Sequence, residues 1–236
     1  VDAEVCVPVP KVVMDGGGQY CAEADVGIQD AGPTNEVVEC EHEAGAGIGG
    51  GGSVPTPKEG VRAEVVEVGS FEELEALGRE GVEGKIVFYN TYMDHSLIST
   101  FNAYGGAVKY RWAGAMEAGK YGAVATVMRS VTLLRDDLPH TGAMSYGESE
   151  IQVPSAAISW QAADRLAQML EAGEQVELEL YLDCGVQGRA TNYNVVADFK
   201  GSEKPQEIML VGGHIDSWDL GQGAQDDGAG FVHAMQ

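Results

Sequence analysis

From Val61 to Val68 apolar and polar residues alternate with the period of a half-buried strand. Ser70-Phe-Glu-Glu-Leu follows and predicts a helix with Ser70 as N-cap and Glu73 at the capping-box position. Gly84-Lys-Ile-Val-Phe-Tyr89 reads as the next strand. Residues 105–121 carry Val108, Trp112, Ala115 and Met116 at helical spacing, and 122–128 return as a strand. Pro154 to Ser159 is a further strand, Trp160 to Leu170 a helix, and Gln175 to Leu182 an outgoing strand. This alternation predicts a compact α/β or α+β unit of about 130 residues.

The flanks have a different texture. Val5-Cys-Val-Pro-Val9 alternates as a strand, but Pro8 and Pro10 confine it to an edge. An acidic tract with a Gly-Gly-Gly turn at 16–18 follows. Residues 45–57 are rich in glycine and end in Pro55-Thr-Pro57, which predicts a crossing between structural units. A phosphate-cradling loop would need a Lys-Ser/Thr sequel that is missing there. After Leu182 two more strands are expected, Thr191 to Lys200 and Glu207 to Gly212, separated by a turn. A short small-residue helix begins at Gly228 and has no C-cap before Gln236, as in a sequence that has been cut.

Composition narrows the partners. The formal charge of −23, from 37 acids against 14 bases, makes nucleic acid and anionic membrane surfaces poor partners. No apolar run approaches the roughly 20 residues of a bilayer span. The four cysteines have no C-x-x-C spacing, which argues against zinc-ribbon and thioredoxin readings and leaves one or two disulfides open.

The chemistry is concentrated at the end of the chain. The apolar run Ile208 to Val211 stops just before His214, a carboxylate follows at Asp216, and a glycine-rich loop delivers Asp226 and Asp227 to the start of the last helix. A zinc-ligating histidine hands its other ring N–H to a carboxylate, a role Asp216 can fill two residues along an extended segment. An aspartate at the mouth of a helix can bridge two metal ions roughly 3.5–4 Å apart, which suits Asp226. Taken singly, Asp226 and Asp227 are equally good helix N-caps and His214 an ordinary core histidine; their conjunction points to a metal site. His233 is expected on the helix surface. A calcium loop is disfavoured, because the carboxylates lack its alternating spacing.

The segment Gly213-His214-Ile-Asp216-Ser-Trp218-Asp-Leu-Gly221-Gln-Gly-Ala-Gln-Asp226-Asp227-Gly resembles the first metal-binding motif of the M28 co-catalytic zinc exopeptidases. The likeness extends back through Pro55-Thr-Pro57-Lys-Glu-Gly60, Gly84 to Asn90, Arg129-Ser130, Pro139-His140-Thr141-Gly142 and Val153-Pro154, covering about residues 47–236. Residues 1–46 match loosely.

The resemblance implies an α/β fold: a partial zinc-exopeptidase (phosphorylase/hydrolase-like) mixed sheet with an inserted protease-associated (PA) α/β domain. Residues 1–46 would be the N-terminal part of the peptidase domain, 47–187 the protease-associated lid, and 188–236 the peptidase segment carrying the first metal motif. His214 would ligate one zinc, Asp226 would bridge two, and Asp216 would be the catalytic-site partner of His214, with the Asp226–Asp227 peptide cis. The intact protein would hydrolyse dipeptides or short unblocked peptides through a metal-bridged hydroxide. It would be extracellular, or lysosomal and secretory, and a homodimer is compatible with it. The general base and remaining ligands are expected beyond Gln236, so the 236-residue chain should be inactive alone and hold zinc weakly. Arg129 and His140 are candidates to face a substrate from the lid. The rival expectation is a non-catalytic PA-domain binding module with a degenerate peptidase remnant.

Overall fold

Among the described residues, each strand between Ala24 and Leu180 has a hydrogen-bonded neighbour on both sides. The computed structural model describes residues 24–30, 45–184, 194–217 and 222–236. The expected strand at Val5–Val9 and residues Cys6, Cys21 and Cys40 lie outside them. The chain divides into two compact units, Val1–Gly188 and Arg189–Gln236.

In the first unit the strands are β1 (Ala24–Asp30), β2 (Gly45–Gly49), β3 (Val61–Val68), β4 (Ile86–Tyr89), β5 (Ala125–Arg129), β6 (Ser155–Ile158) and β7 (Val176–Leu180). They close in the order β1-β2-β6-β5-β4-β3-β7, with β7 pairing back onto β1. The central run β3-β4-β5-β6 is parallel, and the remaining pairs are antiparallel. Helices α1 (Phe71–Val82), α2 (Thr100–Lys120) and α3 (Trp160–Glu171) connect strands around this curled mixed sheet. Residues 24–30 therefore share a sheet with 176–180, and the domain scheme has to accommodate that pairing.

Burial follows the pleat. On β4, Ile86 and Phe88 join one apolar cluster with Val127, Ile158, Leu166 and Leu178, while Val87 and Tyr89 join the other with Leu74, Tyr110 and Met128. A parallel strand covered on both faces reads as a continuous apolar run, and all four residues of β4 are buried. On β7 only Val176, Leu178 and Leu180 are buried, so the strand keeps its alternation.

Local signals set the helix starts. Ser70 Oγ accepts from the Glu73 N–H at 3.1 Å, and the Glu73 carboxylate reaches back to the Gly69 N–H at 2.7 Å, one residue before the usual capping-box partner. Ser159 caps α3 in the same way through the Ala162 N–H. Helix α2 begins at Thr100 after the N-cap Ser99, five residues ahead of the expected start. Its buried face is built from small residues and one tyrosine, Ala103, Ala107, Tyr110, Gly114 and Ala118, whereas Trp112 is exposed. The reason is close approach: a Cβ on Gly114 would lie 2.7 Å from the Tyr89 ring, whose hydroxyl donates to the Gly114 carbonyl. Burial pushes the Tyr89 phenol far above its ordinary pKa.

Two sequence expectations are corrected here. The glycine-rich residues 45–49 are a strand rather than a crossing between units; at its exit the backbone comes so close to Met144 that a Cβ on Gly50 would sit 2.8 Å from Sδ. Arg129 does not present its head to a substrate, because its side chain is fully buried. It donates to Asn90 Oδ1 at 2.7 Å, the Tyr92 hydroxyl at 3.0 Å and the Trp160 carbonyl, and pairs with Asp164 at 2.6 Å. It thereby ties the ends of β4 and β5 to the start of α3. His140 is exposed, with its backbone N–H donating to Ser130 Oγ.

The second unit departs most from expectation. Among the described residues no strand forms over 194–200 or 207–212. Val195, Val196 and Phe199 are exposed, and Ile208, Met209 and Leu210 are each 90% exposed. Strand pairing needs a partner for the backbone and cover for the apolar face, and the described residues of this unit supply neither. The predicted helix is present as α4 (Gly228–Met235), although Val232 and Met235 are exposed rather than packed.

Removing the Arg129 head group by Arg129→Met should lower the unfolding free energy by about 3 kcal/mol, because the buried Trp160 carbonyl, the partly buried Asn90 and Asp164, and the Tyr92 hydroxyl lose a shared donor. Ser70→Ala should cost about 1 kcal/mol, as an exposed N-cap does. Urea unfolding of the full chain checks both, and equal losses would remove Arg129 from its central place.

Candidate metal centre

The centre is assembled within the second unit from an extended segment and the N-terminus of α4. Asp227 occupies the N-cap position but makes no side-chain bond to the helix. Its Oδ2 instead accepts from the His214 backbone N–H at 3.1 Å, which latches the extended segment to the helix start. The latch requires bare backbone on both sides. A Cβ on Gly230 would lie 1.9 Å from Asp227 Oδ1, and one on Gly213 would lie 2.7 Å from Asp227 Oδ2 and 2.6 Å from the Phe231 nitrogen. Upstream, Gly223 adopts φ +64°, a left-handed conformation that turns the loop so that its carbonyl accepts from the Gly228 N–H at 2.8 Å. Gly221 and Trp218 lie outside the described residues.

The imidazole of His214 is held from both ends. Nδ1 faces the Asp216 carbonyl at 2.9 Å and Asp216 Oδ1 at 3.2 Å, while Nε2 lies 3.0 Å from Asp226 Oδ1. Donor atoms of His214, Asp226 and Asp227 all fall within 4.8 Å of one another. The Asp226–Asp227 peptide is cis, in line with the resemblance. The side chains are open to solvent, about half exposed for His214 and 82% for Asp226. The hydrogen bond to the Asp216 backbone raises the His214 pKa, with further contributions from Asp227, Asp216 and Asp226. An arriving divalent ion would displace that proton from Nε2 and take the carboxylates as its counter-charges.

The three residues singled out from the sequence, His214, Asp216 and Asp226, are thus brought together, with Asp216 on the opposite ring nitrogen from Asp226. One imidazole nitrogen and two carboxylates, with the second ring nitrogen already anchored, suit a borderline-soft divalent ion such as zinc. Asp227 is a residue to which the sequence assigns no role beyond the capping alternative it shares with Asp226. The available signal was its adjacency to Asp226 at a helix mouth, but only the fold shows its carboxylate turning away from the helix. His233 lies exposed on α4, outside the cluster.

Comparison with known proteins places these features in a family. Residues 194–236 match the model of Peptidase family M28. The chain is 43% identical over 183 residues to carboxypeptidase Q of Xenopus laevis and 39% identical to that of Homo sapiens, in each case across 78% of this chain. It spans 37% of the length of those relatives. A crystal structure of a peptidase M28 precursor from Shewanella amazonensis SB2B superposes with a TM-score of 0.76 at 33% identity, covering 88% of this chain and 45% of that one. An aminopeptidase from Aneurinibacillus sp. strain AM-1, with a TM-score of 0.51 and 21% identity, shares the fold.

Gly230→Ala should break the latch without removing any donor group. The expected outcome is loss of the His214 amide's hydrogen-exchange protection together with weaker zinc binding by about tenfold. If exchange and affinity both stay at the parent level, the Asp227 latch does not position the centre.

Proposed function

Because the chain belongs to peptidase family M28, we propose that it carries the first half of a two-zinc exopeptidase centre acting on dipeptides or short unblocked peptides. The observation that carries this reading is the convergence of His214 Nε2 with the Asp226 and Asp227 carboxylates while Nδ1 is held by Asp216. In this reading His214 would hold one ion and Asp226 would be shared between two. Asp216 keeps the ring tautomer and orientation, and Asp227 ties the strand-like segment to the helix. Zinc, when bound, supplies Lewis acidity and lowers the pKa of coordinated water. The residues of this chain contribute placement: a fixed imidazole, a carboxylate between two cation positions, and backbone bare enough for close approach.

The general base and the remaining ligands belong, on the same proposal, to the part of the relatives' length that this chain does not span. On the same proposal residues 47–187 are a protease-associated domain, whose sheet also takes in β1 from residues 24–30, and 188–236 is the peptidase segment. Secretion, or delivery to a lysosomal compartment, accords with that assignment; among the described residues no helix is long and apolar enough to cross a membrane.

Two measurements test the reading. The protein encoded by the complete gene should release the terminal residue from unblocked dipeptides, lose that activity to a chelator and regain it with zinc. There, Asp226→Asn should lower kcat/KM by about a thousandfold or more. The 236-residue chain by itself should retain less than stoichiometric zinc after dialysis. A complete protein that binds peptides but shows no zinc-dependent turnover would instead favour a binding module.

A further inference from the structure

A cavity of about 350 Å³ opens on the first unit, remote in sequence from the metal motif. Its walls come from three places: Tyr92, Met93, Asp94 and His95 after β4, Leu133 and Arg135 after β5, and Trp160 at the start of α3 after β6. These strands are mutually parallel neighbours, so the cavity lies outside the carboxyl ends of a parallel run. Loops leaving the carboxyl ends of parallel strands are where α/β folds, open or closed, place their ligands.

The walls are built rather than incidental. The buried Arg129 guanidinium lies 4.1 Å from the Tyr92 ring centroid and 4.6 Å from that of Trp160, and the two rings meet edge to face at 5.2 Å. The Trp160 indole N–H donates to the Thr132 carbonyl at 3.0 Å. Tyr92 and Trp160 are thereby fixed before any ligand arrives, which lowers the ordering cost of binding.

Arg135 supplies the polar end. Its guanidinium stands 5.0 Å from the Trp160 ring, and no ion pair engages it among the described residues, although 37 of the chain's residues are acidic. The adjacent acids are turned to other tasks: Asp136 Oδ1 accepts from the Leu138 N–H and Asp137 Oδ1 from the Ser159 hydroxyl. Asp94 accepts from both the Ser96 N–H and hydroxyl, and those bonds hold its carboxyl below its ordinary pKa; its negative charge at one wall directs an anionic group to the Arg135 end. A planar cation beside a flat aromatic and apolar surface recognises a carboxylate that carries an apolar group.

We propose that this cavity binds an α-carboxylate bearing an apolar side chain, with the carboxylate on Arg135 and the side chain against Met93, Leu133 and Trp160. Two sources share that chemistry, a free amino acid and the C-terminal residue of a peptide. The site stands on the first unit alone and does not rest on the proposed peptidase activity.

The test is calorimetry on the full chain in the presence of EDTA, so that no metal in the second unit can take the carboxylate. The probes are leucine, N-acetyl-leucine and N-acetyl-leucinamide, with the Trp160 indole resonance followed by NMR. The expected result is saturable binding at about 1 mM or tighter for at least one carboxylate probe, a shift of the Trp160 signal, and amide binding weaker by about tenfold. Arg135→Gln and Leu133→Asp, both on exposed residues, should each weaken the carboxylate probe by about tenfold. A preference for leucine identifies a free amino acid as the ligand, and a preference for N-acetyl-leucine a peptide C-terminus. Equal binding of the amide, indifference to Arg135→Gln, or no binding of either carboxylate overturns the proposal.

Discussion

A strand persists only where its backbone groups find a neighbour and its apolar face finds cover, and this constraint separates the two units of the molecule. In the first unit it is met by closure: β7 returns to β1, and among the described residues no strand is left with an open edge. In the second unit an equally apolar segment, Ile208 to Val211, is exposed and has no strand partner among the described residues. The same sequence texture thus gives a strand in one place and an extended, uncovered segment in the other. The difference lies in what surrounds it.

That contrast explains what could be read in advance. The alternating unit was legible because its signals are local: the Ser70 and Ser159 caps, the all-apolar β4 and the alternating β7 each carry their own instruction. Elements that depend on distant chain were less legible. Gly45–Gly49 has little strand propensity of its own and becomes a strand because β1 and β6 flank it. On α2 the expected apolar positions hold except at Trp112: Ala115 is buried and Val108 packs on the core, whereas Trp112 is exposed and the closest approach to the sheet falls at Gly114, where a Cβ would meet the Tyr89 ring. Nor does sequence announce that Arg129, at the end of a strand, turns inward to Asp164 and two aromatic rings.

At the metal centre the donor set was legible and the scaffold was not. His214, Asp216 and Asp226 could be chosen by residue type and spacing, since a histidine with a carboxylate two residues on and another at a helix mouth has a chemical logic. Asp227 could not, because its work is done by a hydrogen bond to the backbone of His214 across the loop. The anchoring of the ring by the Asp216 carbonyl as well as its carboxylate is equally invisible in the side-chain sequence. The second unit therefore shows a geometry held by main-chain contacts around a chemistry supplied by side chains.

The latch between Asp227 and His214 also bears on how such a motif tolerates change. Gly213 and Gly230 contribute no donor atom, yet each marks a place where one added carbon would collide with the Asp227 carboxylate. Exchanging a carboxylate for an amide would weaken the centre while leaving its shape intact. A methyl group at either glycine would alter the shape while leaving every ligand in the sequence. Drift in this motif is thus filtered twice, once by chemistry at the acids and histidine and once by volume at positions that appear inert.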